Sequence, residues 1–190
     1  MVTDNITPEI QRIKSELLKL SNIRITVGIQ GDEDSELLKI AKVHEYGAEI
    51  KMTDKMRRFM GAKGFFDDYR DSGTESSYVP PAGKVKGINT ELRSVVIPER
   101  SFIRASYAQG RSQIIEAYKS AVVHIIKDKW TAEQAANNIG AQALQMVHDY
   151  FNTKLKPPKS DITKKFSAQE QPLYDTGRLY NSITFKIEGL

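Results

Sequence analysis

Asp175, Thr176 and Gly177 spell the triplet that carries the catalytic carboxylate of aspartic proteases. There, two carboxylates share one proton because adjacent like charges cannot both ionise. Here Arg178 and Leu179 follow where those enzymes have a small residue and then a long run of strands, and only thirteen residues remain. A helix cap followed by a glycine turn accounts for the triplet better. The three histidines, His44, His124 and His148, fall on three different predicted helices, and no pair has the i, i+4 spacing of a helical zinc site. His44 with Glu45, and His148 with Asp149, are neighbours that point to different sides of a helix, so neither forms an acid and base pair. The G-A-K-G run at 61–64 has the wrong glycine spacing for a phosphate loop and no Lys-Ser/Thr pair behind it. Arg57, Arg58 and Phe59, with Phe65 and Phe66, mix base and aromatic in a way that can stack single-stranded nucleic acid. The same residue types anchor protein interfaces, and that reading is preferred. The chain is therefore expected to be no enzyme and to need no cofactor or metal.

The elements that would position these residues can be read from periodicity. Thr7 and Pro8 predict an N-cap and first helical residue, with Ile10, Ile13, Leu17 and Leu20 at helical spacing behind them. Over 23–29 the pattern switches to strict alternation, with Ile23, Ile25, Val27 and Ile29 on one face, which predicts a strand. Asp34 can cap a helix carrying Leu37, Leu38, Ile40, Ala41 and Val43, stopped by Gly47.

From 48 to 96 periodicity is poor and glycine frequent, predicting an inserted, partly ordered arm with hairpins and a short helix near 54–60. After Pro98, a helix is expected with Ile114, Ile115, Tyr118, Val122, Ile125 and Ile126 as its buried stripe. Thr131 and Gln134 then read as a capping box opening a second long helix, whose stripe is Ala135, Ile139, Ala143, Met146, Val147 and Tyr150. The stretch 153–172 holds Pro157, Pro158 and several lysines and predicts an exposed connector. Asp175 can cap a short turn, after which Ile183, Phe185 and Ile187 alternate with polar residues, predicting a last strand able to pair with 23–29. The expected fold is α+β: a small mixed or antiparallel sheet packed against two long helices, in one domain over 1–190.

Composition sets outer bounds. With no cysteine there is neither a disulfide framework nor a thiolate metal site. No stretch approaches the length of a membrane span and the start lacks a signal-peptide pattern, so a soluble protein made in the cytoplasm is expected. The net charge of +4 is thinly spread, where nucleic-acid binders usually carry a denser basic stripe.

Four blocks look familiar. I-A-K-V-H-E-Y-G at 40–47, T-D-K-M-R-R at 53–58, I-P-E-R-S-F-I-R at 97–104 and L-Y-D-T-G-R-L-Y-N-S-I-T at 173–184 stand in this order along the chain. Together they resemble a family of tailed-phage neck and tail-completion proteins, the virion-morphogenesis and tail-component proteins related in role to Z-type minor tail proteins. The resemblance implies a non-enzymatic virion subunit at the head-tail junction. It also implies a cyclic homo-oligomer, six copies suiting the tail's symmetry, that contacts neighbouring neck and tail proteins and borders the genomic DNA in the channel. Tail terminator, head-tail adaptor and collar are the neighbouring assignments, and a nucleic-acid-binding accessory protein is the alternative of a different class. Within the blocks, Pro98 fixes chain direction, Glu99, Arg100 and Arg104 offer charge, and Phe102 supplies an apolar anchor. With Arg57, Arg58, Phe59, Asp175 and Gly177 they are candidate fold anchors or subunit-interface residues, the two roles standing level.

Overall fold

The computed structural model describes residues 7–30, 35–57, 94–153, 155–159, 172–174 and 176–189. The elements, in order, are α1 (Pro8–Asn22), β1 (Arg24–Ile29), α2 (Ser35–Tyr46), β2 (Ala48–Lys51), β3 (Ser94–Ile97), α3 (Arg104–Lys127), α4 (Ala132–Thr153), α5 (Arg178–Asn181) and β4 (Ile183–Glu188). The fold is α+β, with two long antiparallel-packed helices and small antiparallel sheets. The strands form two separate pairs rather than one sheet: β1 with β4, and β2 with β3.

The β1–β4 pair joins the two ends of the chain. Ile25 faces Ile187, Val27 faces Phe185 and Ile29 faces Ile183, so the apolar residues of both strands fall on one side. That side packs on α4. Phe185 lies so close to Gly140 of α4 that a Cβ there would have no room. The second pair sets Ala48 against Ile97 and Lys51 against Ser94, so the first and last few residues of the predicted arm are paired strands. A helical turn follows at 54–57, where the sequence predicts a short helix. The interior of the predicted arm and most of the predicted connector lie outside the described residues.

Most predicted helix ends match their chemistry. Thr7 Oγ1 accepts from the Ile10 N–H ahead of Pro8. Thr131 and Gln134 form the reciprocal capping box, Thr131 N–H to Gln134 Oε1 at 3.0 Å and Gln134 N–H to Thr131 Oγ1 at 3.2 Å. Gly47 adopts φ +72°, the left-handed stop, with Ile97 O and Glu99 N 3.1 Å from where a Cβ would sit. Asp34 and Asp175, the other two expected caps, lie outside the described residues.

The buried face of α3 differs from the expected one. Ser106, Gly110, Ala117, Ala121 and Ile125 are buried, whereas Ile115, Tyr118 and Ile126 are exposed. Small residues let α3 approach the alanine-rich side of α4, formed by Ala132, Ala135, Ala136, Gly140 and Ala143, and a seam of that kind leaves no room for bulky side chains. Two apolar clusters result. Leu20, Ile125 and Ile139 centre the first, and Phe102, Phe151, Val147 and Leu179 the second, with α4 contributing to both.

α1 spans the turn between the long helices. Arg12 Nη2 donates to Ile125 O at 2.8 Å near the end of α3, and the Ala132 N–H at the start of α4 donates to Glu16 Oε2 at 2.7 Å. One helix thus satisfies orphan groups at two others' ends. Lys19 and this N–H hold the Glu16 carboxyl below the usual glutamate range.

Candidate functional site

The sequence blocks at 40–47 and 97–104 fold into one clasp. Its centre is Glu45, in the last turn of α2, a position where the helix dipole disfavours an acid. The Glu45 side chain is almost wholly buried and accepts the N–H groups of Phe102 (2.8 Å), Ile103 (3.1 Å) and Arg104 (2.9 Å) and the Ser101 hydroxyl (2.7 Å). These are the orphan amides at the start of α3, whose own N-cap residue, Ile103, has no capping side chain. A carboxylate from another helix therefore caps α3, adding a negative charge at the positive end of its dipole.

Arg104 closes the clasp from outside. Its Nε donates to Glu45 Oε1 at 3.2 Å and its Nη2 to Glu45 O at 2.7 Å and to Glu99 Oε1 at 2.8 Å. Its guanidinium lies 4.4 Å from the centre of the Tyr46 ring. Arg100, buried, donates from its backbone to His44 O at 2.7 Å and from its side chain to Pro157 O (2.7 Å) and Pro158 O (3.0 Å). It thereby ties the segment after α4 to the clasp. Phe102 is completely buried, packed edge to face on Phe151 with ring centres 5.5 Å apart. Leu179 and Tyr180 of the block at 173–184 join the same cluster.

The candidate residues thus divide. Glu99, Arg100, Phe102 and Arg104 meet at the clasp, next to exposed Pro98. Gly177, at φ +76°, starts α5, where Thr176 Oγ1 accepts from the Arg178 N–H. Arg57 stands apart, bound to Asp54 and to Met52 O. Arg58, Phe59 and Asp175 lie outside the described residues. Glu45 is the residue that sequence reasoning passed over, although an acid two positions before a glycine stop signals a partner elsewhere.

The histidines stay separate. His124 stacks on Trp130 and its Nδ1 lies 2.6 Å from Asp128 Oδ2, while His148 stacks on Tyr180. His44 Nδ1 is buried without a hydrogen-bond partner among the described residues. Burial, reinforced by the nearby Arg100 charge, lowers the His44 pKa to about 4. Among the described residues no group of three or more histidines or acids is placed to hold a metal ion, and no helix is long and apolar enough to cross a membrane. Comparison with family models, curated proteins and solved structures found no match to this chain.

Proposed function

We propose that this chain is a structural, non-enzymatic subunit of a tailed-phage virion, a neck or tail-completion protein that joins head to tail as a ring. The observation that carries this reading is the clasp. Three of the four blocks that resemble the neck family form one structural device: 40–47 and 97–104 interlock through Glu45, Gly47 and Arg104, and 173–184 packs Leu179 and Tyr180 on the cluster that Phe102 fills, while the block at 53–58 stands apart. A likeness carried by residues that build the framework bears on the fold of the whole subunit, and the step from that fold to a role in the neck is made by analogy. Terminator, adaptor and collar roles use the same kind of subunit and differ in which neighbours it meets.

The test is genetic and visual. A phage lacking this protein should make filled heads and tails of near-normal length that fail to join, because loss of a joint spares its two halves. Unfilled heads in electron micrographs would point to DNA packaging, absent tails to tube assembly, and normal infectious yield would overturn the reading. The competing class, a nucleic-acid-binding accessory protein, would show salt-dependent DNA binding by the isolated subunit.

A further inference from the structure

We propose that the groove between α3 and α4 receives an arginine side chain presented by a peptide segment of a partner protein. It does so whether or not the chain is a virion subunit, since the groove's own chemistry selects the ligand.

Between α3 and α4 lies a groove of about 280 Å³, a space for one side chain rather than for a drug-sized ligand. Half-buried Ile114 and Met146, with buried Ala143, give it an apolar part. Met146 rests on Gly110 of α3, where a Cβ would have no room. The other lining residues, Gln113, Gln142, Gln145 and Asp149, are polar and exposed. An alkyl stem with a polar head matches such a lining, the stem on the apolar part and the head among the polar groups.

Hydrogen bonding and charge select the head. Gln145 Nε2 donates to Asp149 Oδ1 at 2.8 Å, and because a carboxylate only accepts, this fixes which way the amide is turned. Gln142 Nε2 is likewise spent, on Asn138 Oδ1 one turn back along α4. What these side chains have left to offer is acceptors: the Oε1 atoms of Gln142 and Gln145 and the Oδ2 of Asp149. No lysine or arginine lines the groove, and Asp149 has no ion-pair partner among the described residues. It stands one turn before the end of α4, whose last turn holds no basic residue, so the negative end of the helix adds to the carboxylate. A donor-rich cation is what such a lining lacks. A guanidinium brings five N–H donors in a planar fork and no acceptor, and serves several separate acceptors better than the compact ammonium of lysine. A single open groove holds a free amino acid weakly, so the arginine comes on a chain that makes further contacts.

The test is an NMR titration of the isotope-labelled full chain with a blocked tripeptide that holds arginine between two glycines. The side-chain amide signals of Gln142 and Gln145 should shift and saturate. The same peptide with citrulline, which has the shape without the charge, should bind about fivefold more weakly, and Asp149→Asn should weaken the arginine peptide by about as much. Glu133→Gln, at the other end of α4, should bind as the unmodified chain does. Circular dichroism checks that each variant keeps its helices. No saturable shift at Gln142 and Gln145, equal binding of the two peptides, or binding unchanged by Asp149→Asn overturns the proposal. Equal weakening by Glu133→Gln means general charge attraction and overturns the groove as the site. Free arginine amide binding as tightly as the peptide overturns the peptide segment as the ligand. Shifts of the same signals on concentrating the chain alone mean that a second copy supplies the arginine, and overturn the foreign partner.

Discussion

Replacing Glu45 by Ala would leave three backbone N–H groups at the start of α3 and the Ser101 hydroxyl without their acceptor in a buried site. Orphaned buried donors and a broken buried charge pair set the scale of the loss, about 3 to 5 kcal/mol. Glu45→Gln keeps the size and one acceptor oxygen, so it should cost clearly less. Urea unfolding of both variants checks the order, and equal losses would mean the carboxylate's charge is what matters. The neighbouring His44 makes a second prediction, about pH. Its folded value of about 4 lies below the ordinary 6.5. Between those values the unfolded chain binds a proton that the folded chain does not, so this residue's contribution falls as pH drops from 6.5 to 4 and levels off below. The stability of the unmodified chain minus that of His44→Phe should therefore decline across that window. A difference independent of pH would show that His44 titrates normally in the folded chain.

At the scale of elements, two helical glycines make opposite demands. Gly140 faces the Phe185 ring of β4, which is held in its strand pair, whereas Gly110 faces the flexible Met146 side chain. Alanine gains about 1 kcal/mol of helix propensity at either site, but overpacking typically costs about 1 to 3. Gly140→Ala should thus destabilise by up to about 2 kcal/mol, and Gly110→Ala should stay within about 1 kcal/mol of the unmodified chain because Met146 can turn aside. Thermal melts of the two variants give the comparison.

These elements also mark what the sequence disclosed. Local chemistry was legible: the Thr131 and Gln134 box, Pro8, the Gly47 stop and the alternation at 23–29 and 183–187 that pairs the chain's two ends. Three features were not. Four-residue strands such as β2 and β3 are too short for alternation to speak. The buried seam of α3 is built of Ser, Gly and Ala, so its bulky neighbours drew the reading to the wrong face. Glu45 acts on amides 57 to 59 positions away, and a contact at that distance leaves no periodic trace. Of the candidate residues, the arginines and Phe102 at 100–104 were picked out by type within a block that resembles a known family, and Glu45, which binds the backbone of 102 and 104, was not.

At the scale of the molecule, α4 decides whether the two apolar clusters are one folding unit. Its first half, through Ala135 and Ile139, belongs to the cluster with Leu20 and Ile125, and its second half, through Val147 and Phe151, to the cluster with Phe102. The β1–β4 pair crosses the same divide, Ile25 and Ile187 lying on the first cluster and Val27 and Ile183 on the second. A helix of 22 residues cannot lose the packing of one half and keep the other intact at little cost, because helices are stabilised mainly by their tertiary faces. Cooperative, all-or-none unfolding is therefore expected. Trp130, the chain's single tryptophan, packs on the first cluster and reports it by fluorescence. Phe102→Ala empties the heart of the second and should cost about 3 to 5 kcal/mol. If the clusters are one unit, that substitution must lower the denaturation midpoint seen by Trp130 as much as the midpoint seen by helical circular dichroism, although the mutated ring belongs to the other cluster. A Trp130 transition left in place while circular dichroism splits into two steps would mean that α4 is a hinge between two separately stable halves.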